Sequence, residues 1–353
     1  MLHKIFGRKL ARNIEAGDYL EYFFVSAVTT ILGIRLFLYL TGYPQISSGT
    51  FHIAHMLWGG FILALALFLL LVYLNRFVVT LAAALGGIGF GTFIDELGKF
   101  ITRDNNYFFQ PTIAILYVIF IFLFLLIRLV EKSQTLGKKE YLINALILFE
   151  EVVYKDLNSL EKDKLLNLLK NSDQRNGLVV ALEKIANAMP VVNKENISTL
   201  KKIQQKLYEF YTHFRKSPKI QKIVLSLVFL HSISIITSSV IRLITLGGAG
   251  DLRAHLSLFS ASFIDVVISF ISSVIIVWGI YQFRKSRLIG LRIIKLSLLI
   301  SLFISQVFSF YEIQLLAIFE LLQVLFVLTI IQYMLYEEKS YQLSKLGKNS
   351  NSL

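Results

Sequence analysis

Apolar residues gather along the chain into eight long runs, at about 20–41, 54–74, 77–98, 111–130, 221–246, 255–282, 291–311 and 313–336. A hydrocarbon core about 30 Å thick takes roughly 20 residues of helix, so each run predicts a membrane-crossing helix. None has the strict alternation of a barrel strand. The seventh is the weakest, because Arg292 and Lys295 cut into its apolar stretch. Both lie near one end, from which long side chains can extend their charges to the headgroups. Residues 131–219 differ in kind: charges interleave with apolar positions at helical spacing, as in Leu160, Leu165, Leu168 and Leu169, then Leu178, Val179, Leu182 and Ile185. That periodicity predicts three or four short amphipathic helices. Asn158 with Glu161 resembles a capping box, and Pro190 closes a helix.

The pattern therefore predicts an all-α protein: a polytopic transmembrane bundle of about eight helices in two parallel four-helix halves, with a small cytoplasmic helical insert. Its divisions are an N-terminal segment 1–18, a first membrane half 19–130, the insert 131–219, a second half 220–336 and a tail 337–353. Charge supplies the orientation. Segments 1–18, 75–77, 283–288 and 337–353 hold eleven Lys or Arg against three (Lys99, Arg103, Arg253) in the alternate loops. Lys and Arg favour the cytoplasmic side of short loops, which places both termini and the insert in the cytoplasm and the protein in the cell membrane. Because the insert returns to the side it left, the halves share one orientation and are related at most by an axis along the membrane normal.

Composition agrees. The chain is 55% hydrophobic and 17% charged, well below the roughly 25% charge of soluble domains. Its net charge of +13 sits in clusters beside apolar runs, which reads as topology and not as a nucleic-acid surface. The partner it implies is the lipid bilayer. Nothing in the pattern sets an oligomeric state. The absence of cysteine excludes disulfides, thiol catalysis and thiolate metal sites. The basic, amphipathic N-terminus lacks the apolar core and small-residue cleavage site of a removable signal, so the first helix is expected to act as its own insertion signal.

Ionisable residues inside a spanning helix cost several kcal/mol unless they find a partner or water, and each marks a candidate site. In the first half, His52, His55 and Gly59 share one face at the start of helix two, while Ala83, Gly87, Gly91, Asp95 and Lys99 repeat every four residues toward the end of helix three. Antiparallel packing of these faces would bring His55 and Asp95 together, with Glu96 beside them and Arg35 of helix one within reach. The cluster Arg35, His52, His55, Asp95, Glu96 and Lys99 is expected in the outer leaflet. It reads either as a buried network, as a proton or ion site, or as a divalent metal site on His52, His55, Asp95 and Glu96, since imidazoles with carboxylates suit zinc and a zinc-bound water is a nucleophile. In the loop that follows, Asp104, Asn105 and Asn106 offer oxygens to a cation or simply make a turn, and Tyr107 and its aromatic neighbours look like interface residues.

The strings FIDELGKFITRDNNYFFQP, HIAHMLWGG and RLFLYLTGYP resemble those of an uncharacterised family of prokaryotic multipass membrane proteins. The resemblance covers helices one to four and implies a membrane fold without an assigned activity.

The second half carries polar stripes on every helix: His231 to Arg242 on the fifth, Asp265 with its serines on the sixth, Ser297, Ser301, Ser305 and Ser309 on the seventh, and Glu320 with Gln323 on the eighth. His231, Arg242, Asp265 and Glu320 are the midplane candidates. A serine stripe serves close packing or lines a polar cavity. Three function classes remain open. One is a transporter or channel with a polar intramembrane site. The second is an intramembrane metal-dependent hydrolase or transferase at the His/Asp/Glu cluster. The third is a sensor or scaffold that meets a cytoplasmic partner through residues 131–219.

Overall fold

The computed structural model describes residues 11–42, 47–48, 51–52, 55–107, 109–132, 136–154, 157, 159–190, 218–248 and 261–350. The fold is all-α, with eight helices among the described residues long and apolar enough to cross a membrane, as the hydropathy pattern predicts. Among the described residues the one departure is a two-residue antiparallel pair, β1 (Ser47–Ser48) with β2 (Phe51–His52). The chain is an integral multipass membrane protein, and its lipid-facing surface is visible in large apolar side chains left exposed, such as Phe61, Phe68 and Phe122. It gathers into two compact units, Met1–Tyr107 with Phe122–Ser198, and Phe108–Ile121 with Thr199–Leu353.

The first unit contains α1 (Ala16–Thr41), α2 (His55–Val72), α3 (Arg76–Ile94), the short α4 (Leu97–Ile101) and the second part of α5 (Pro111–Lys132). Helix α3 is wedged between α1 and α2. A Cβ at Gly91 would lie 2.5 Å from the Ala27 carbonyl of α1, and one at Gly59 would lie 2.7 Å from the Gly89 carbonyl. The glycines permit backbone-to-backbone approach on both sides, as small residues do between membrane helices. This corrects the expected pairing. The Gly87–Gly91 seam faces α1, and Gly89, roughly 200° further round the helix than Gly87 at about 100° per residue, is what meets α2.

Residues 136–190 add α6 (Lys138–Val153), α7 (Ser159–Lys170) and α8 (Gly177–Ala188) to this unit. Their core is Ala145, Leu148, Leu165, Leu168, Leu169, Val179, Leu182 and Ala186, with Ile14 packed against it. The helical spacing therefore identifies most of the buried face, but Leu160, Leu178 and Ile185 are exposed, being on the far side of their helices. Asn158 and residues 191–217 lie outside the described residues. Asn176 caps α8 by accepting from Leu178 N at 3.0 Å.

Polar contacts tie these helices to the membrane segments of the same unit. Arg12 donates to both oxygens of Glu140, at 3.0 Å each. The Asn75 side chain donates to Glu150 at 2.6 Å. Glu15 accepts from Arg76 Nε at 3.0 Å, Lys164 Nζ at 2.7 Å and Tyr19 Oη at 2.7 Å. Burial works against the Glu15 charge, but its Arg76, Lys164 and Tyr19 partners outweigh that cost and hold its carboxyl at about 2, below an ordinary 4.5. A depressed carboxyl stabilises above its unfolded value and loses that contribution as pH falls through its folded value. Between about pH 4.5 and 2 the clamp should therefore weaken by roughly 2 kcal/mol, allowing for solvent around this half-buried group. The protection factors of α7 amides, taken against the intrinsic exchange rate at each pH, should fall as pH drops through that window, and in Glu15→Gln most of this pH dependence should vanish.

The second unit contains the start of α5 with α9 (Pro218–Gly248), α10 (Ala261–Lys285), α11 (Arg287–Ile300) and α13 (Ala317–Ser350). Helix α11 runs through a π turn at Ser301–Ser305 into α12 (Gln306–Glu312), and a 3₁₀ turn at Gln314–Leu316 leads to α13. Leu291, Ile294, Ile330 and Ile331 form the centre of its core. The seventh crossing, weakest by hydropathy, is thus a full span from Arg287 to Glu312.

Candidate functional site

Two polar constellations stand out, one in each unit. In the first, α3 ends where Asp95 and Glu96 turn the chain into α4, and both acids are wholly buried. Arg35 of α1 donates through Nε to Asp95 Oδ1 at 2.6 Å and through Nη2 to the Asp95 carbonyl at 3.2 Å. Tyr107 donates its hydroxyl to Asp95 Oδ2 at 2.7 Å, and His55 Nε2 lies 3.2 Å from the same oxygen. The other ring nitrogen of His55 is 3.1 Å from Glu96 Oε1, which also takes Lys99 Nζ at 2.6 Å. Arg35 and Lys99 both lie over the Tyr107 ring, at 5.1 and 5.6 Å from its centroid.

The structure thus brings together Arg35, His55, Asp95, Glu96 and Lys99 as the sequence pattern suggests. It adds Tyr107, which the sequence reading assigns to the interface but which closes the network as a donor. His52 sits in β2, and its side chain is outside the described set. Among the described residues no group of three or more His, Asp or Glu side chains is disposed to hold a metal ion. The reason is geometric: His55 lies between its two carboxylates instead of pointing with them at a common centre, and Asp95 has both oxygens engaged. Asp104, Asn105 and Asn106 are exposed. They form a turn in which Asn105 takes the left-handed conformation (φ 52°) and Asn106 N donates to Thr102 Oγ1 at 2.8 Å.

The second constellation surrounds a cavity of about 330 Å³ lined by α9, α10, the α11–α12 crossing and α13. Asp265 of α10 borders it, and Asp265 Oδ1 accepts from Ser305 at 2.9 Å and from Ser269 at 3.4 Å. Those two hydroxyls are 2.8 Å apart. Among the described residues nothing bonds Asp265 Oδ2, and no Arg or Lys pairs with this carboxylate. His231 and Glu320 border the same space without bonding Asp265. Arg242 belongs to α9, but its side chain is outside the described set. Three of the four midplane candidates therefore meet at one cavity.

The π turn explains why the serine stripe stays on one face. Steps of four residues drift by roughly 40° each on an α-helix, which over Ser297 to Ser309 would wind the stripe away. The wider turn takes the drift back, and Ser301, Ser305 and Ser309 all border the cavity. Such single π turns are frequent at functional sites. Two side chains support this one: Tyr117 of α5 donates to the Leu302 carbonyl at 2.7 Å, and Gln306, buried at the start of α12, donates to the Ala317 carbonyl at 2.9 Å. Neither residue is singled out by sequence reading. The readable signal was the unbroken four-residue serine spacing, which a regular helix cannot keep in line.

Comparison with family models, curated proteins and solved structures finds no match to this chain. The resemblance carried by the FIDELGKF stretch is supported only at the level of a multipass helical membrane protein.

Proposed function

We propose that the protein is a transporter- or channel-like membrane protein whose second half holds a small solute or ion, with Asp265 as its anchor. The carrying observation is the cavity itself. A carboxylate within a membrane-spanning helix is costly unless it meets a cation or water, and Asp265 meets only hydroxyls and open space. The interrupted seventh helix beside it agrees with irregular backbone being tolerated in a membrane where it lines a cavity. In the first half both oxygens of Asp95 and one oxygen of Glu96 are instead engaged by Arg35, Tyr107, His55 and Lys99, which supports a scaffold role there. The same commitments argue against a hydrolase, which needs a free ligand set. A sensing role for residues 131–219 is a second reading, favoured by the Glu15 and Glu150 contacts that tie α7 and α6 to the membrane helices of their unit.

The chain contains no cysteine, so single-cysteine labelling tests this reading directly. Ser309→Cys should react with charged thiol reagents in the membrane, showing a water-filled cavity. With both termini and the insert cytoplasmic, Lys170→Cys should react only after permeabilisation and Asp104→Cys in intact cells. A Ser309→Cys that ignores charged reagents yet reacts with apolar ones would contradict the cavity, and the reverse labelling at 170 and 104 would invert the topology.

A further inference from the structure

We infer that the cavity around Asp265 is a site for a small primary organic ammonium ion with an aliphatic body. The inference rests on the solute-site reading above and names the solute class.

Size comes first. At about 330 Å³ the cavity is at the small end of organic-ligand sites, roughly 300–1,000 Å³, and far roomier than one bare ion needs. Charge comes next. The ionisable groups bordering it are Asp265, Glu320 and His231, and among the described lining residues there is no Lys or Arg. The site therefore favours a cation and has no strong partner for a carboxylate, which sets an amine apart from the corresponding amino acid.

The kind of cation follows from the donors and acceptors. Asp265 Oδ2 is open, while the Ser269 and Ser305 oxygens beside it retain acceptor capacity after donating. Ser272, only 4% exposed, also borders the space, and its hydroxyl has no partner. An ammonium with three N–H donors can use the carboxylate and two hydroxyls at once. A quaternary ammonium has no such donors and is recognised by cages of Trp, Tyr and Phe, whereas none of these is among the described lining residues. The remaining wall is aliphatic, with Val228, Ile276 and Val324 in it, and suits an alkyl body.

The test uses the full-length protein in lipid nanodiscs and four probes: n-pentylamine, norleucine (the same chain with a carboxylate), choline and n-pentanol. Binding is read by calorimetry and by the shift in thermal unfolding. Pentylamine is expected to bind at least tenfold more tightly than the other three, and to lose at least tenfold in Asp265→Asn. Should that variant fail to fold, Ser309→Leu, which narrows the cavity from α12, is expected to remove binding while the protein stays folded. Equal or tighter binding of norleucine, choline or pentanol, abolished by Asp265→Asn, would overturn the ammonium class yet leave the solute site standing. If none of the four probes binds, and neither alkali cations nor protons move through wild-type proteoliposomes in an Asp265-dependent way, the ammonium inference and the solute-site reading fall together.

Discussion

Arg35→Met is expected to destabilise the first unit by about 3–5 kcal/mol, the cost of removing one partner from a buried ion pair. Arg35 is the only side chain that reaches both the carboxylate and the carbonyl of Asp95 among the described contacts, and Asp95 is wholly buried. Without Arg35, the Tyr107 hydroxyl and His55 are left to hold a full negative charge in a low-dielectric setting. The same substitution strips a cation from the face of the Tyr107 ring, so Tyr107 should loosen as well. Unfolding of the purified protein in mixed micelles measures the loss. A second substitution separates charge from packing: Arg35→Met combined with Asp95→Asn should recover most of the stability, because it removes the unpaired charge. If the double variant were as unstable as the single one, the network would be held by shape and not by charge.

How much of this was legible in the sequence depends on what kind of physics carried it. The eight crossings were legible because membrane burial is a bulk effect: roughly 20 apolar residues are needed, whatever their order. The pairing of His55 with Asp95 was legible through depth, which antiparallel packing set, although the spacing assigned the Gly87–Gly91 seam to the wrong neighbour. Tyr107 was not, because its hydroxyl arrives by a loop whose course depends on the Asn105 turn, and an aromatic next to an outer loop reads as an interface residue in isolation. Nor could one-dimensional periodicity say that α3 uses two opposite glycine faces, since it records a stripe without recording how many neighbours there are. The cavity lay in between. Its acid and serines were visible as stripes, but stripes serve packing equally well, and the choice turned on the π turn and on Tyr117, a side chain from a helix more than 180 residues away in the chain.

Asp265→Asn should leave the fold nearly intact and remove the function. Asparagine keeps the size of the side chain and can still accept from Ser305 and Ser269, so the stability change should stay within about 1 kcal/mol, typical of a site away from tight packing. What disappears is the charge. A hydrogen bond to an ionised group contributes roughly 1.5–3 kcal/mol, which corresponds to a ten- to hundredfold loss of affinity for a cation. This contrast with Arg35→Met follows from the different partners of the two acids: Asp95 is paired with the Arg35 guanidinium, whereas among the described residues Asp265 meets hydroxyls and no Arg or Lys.

The most direct measurement is charge movement by the reconstituted protein on a solid-supported membrane, with concentration jumps of alkali cations, protons and small amines. A solute site at Asp265 predicts that at least one of these produces a current in the wild type that falls tenfold or more in Asp265→Asn, while Asp104→Asn, in the exposed turn, behaves as wild type. A current of equal size in Asp265→Asn, or no current with any of the probes, would contradict it.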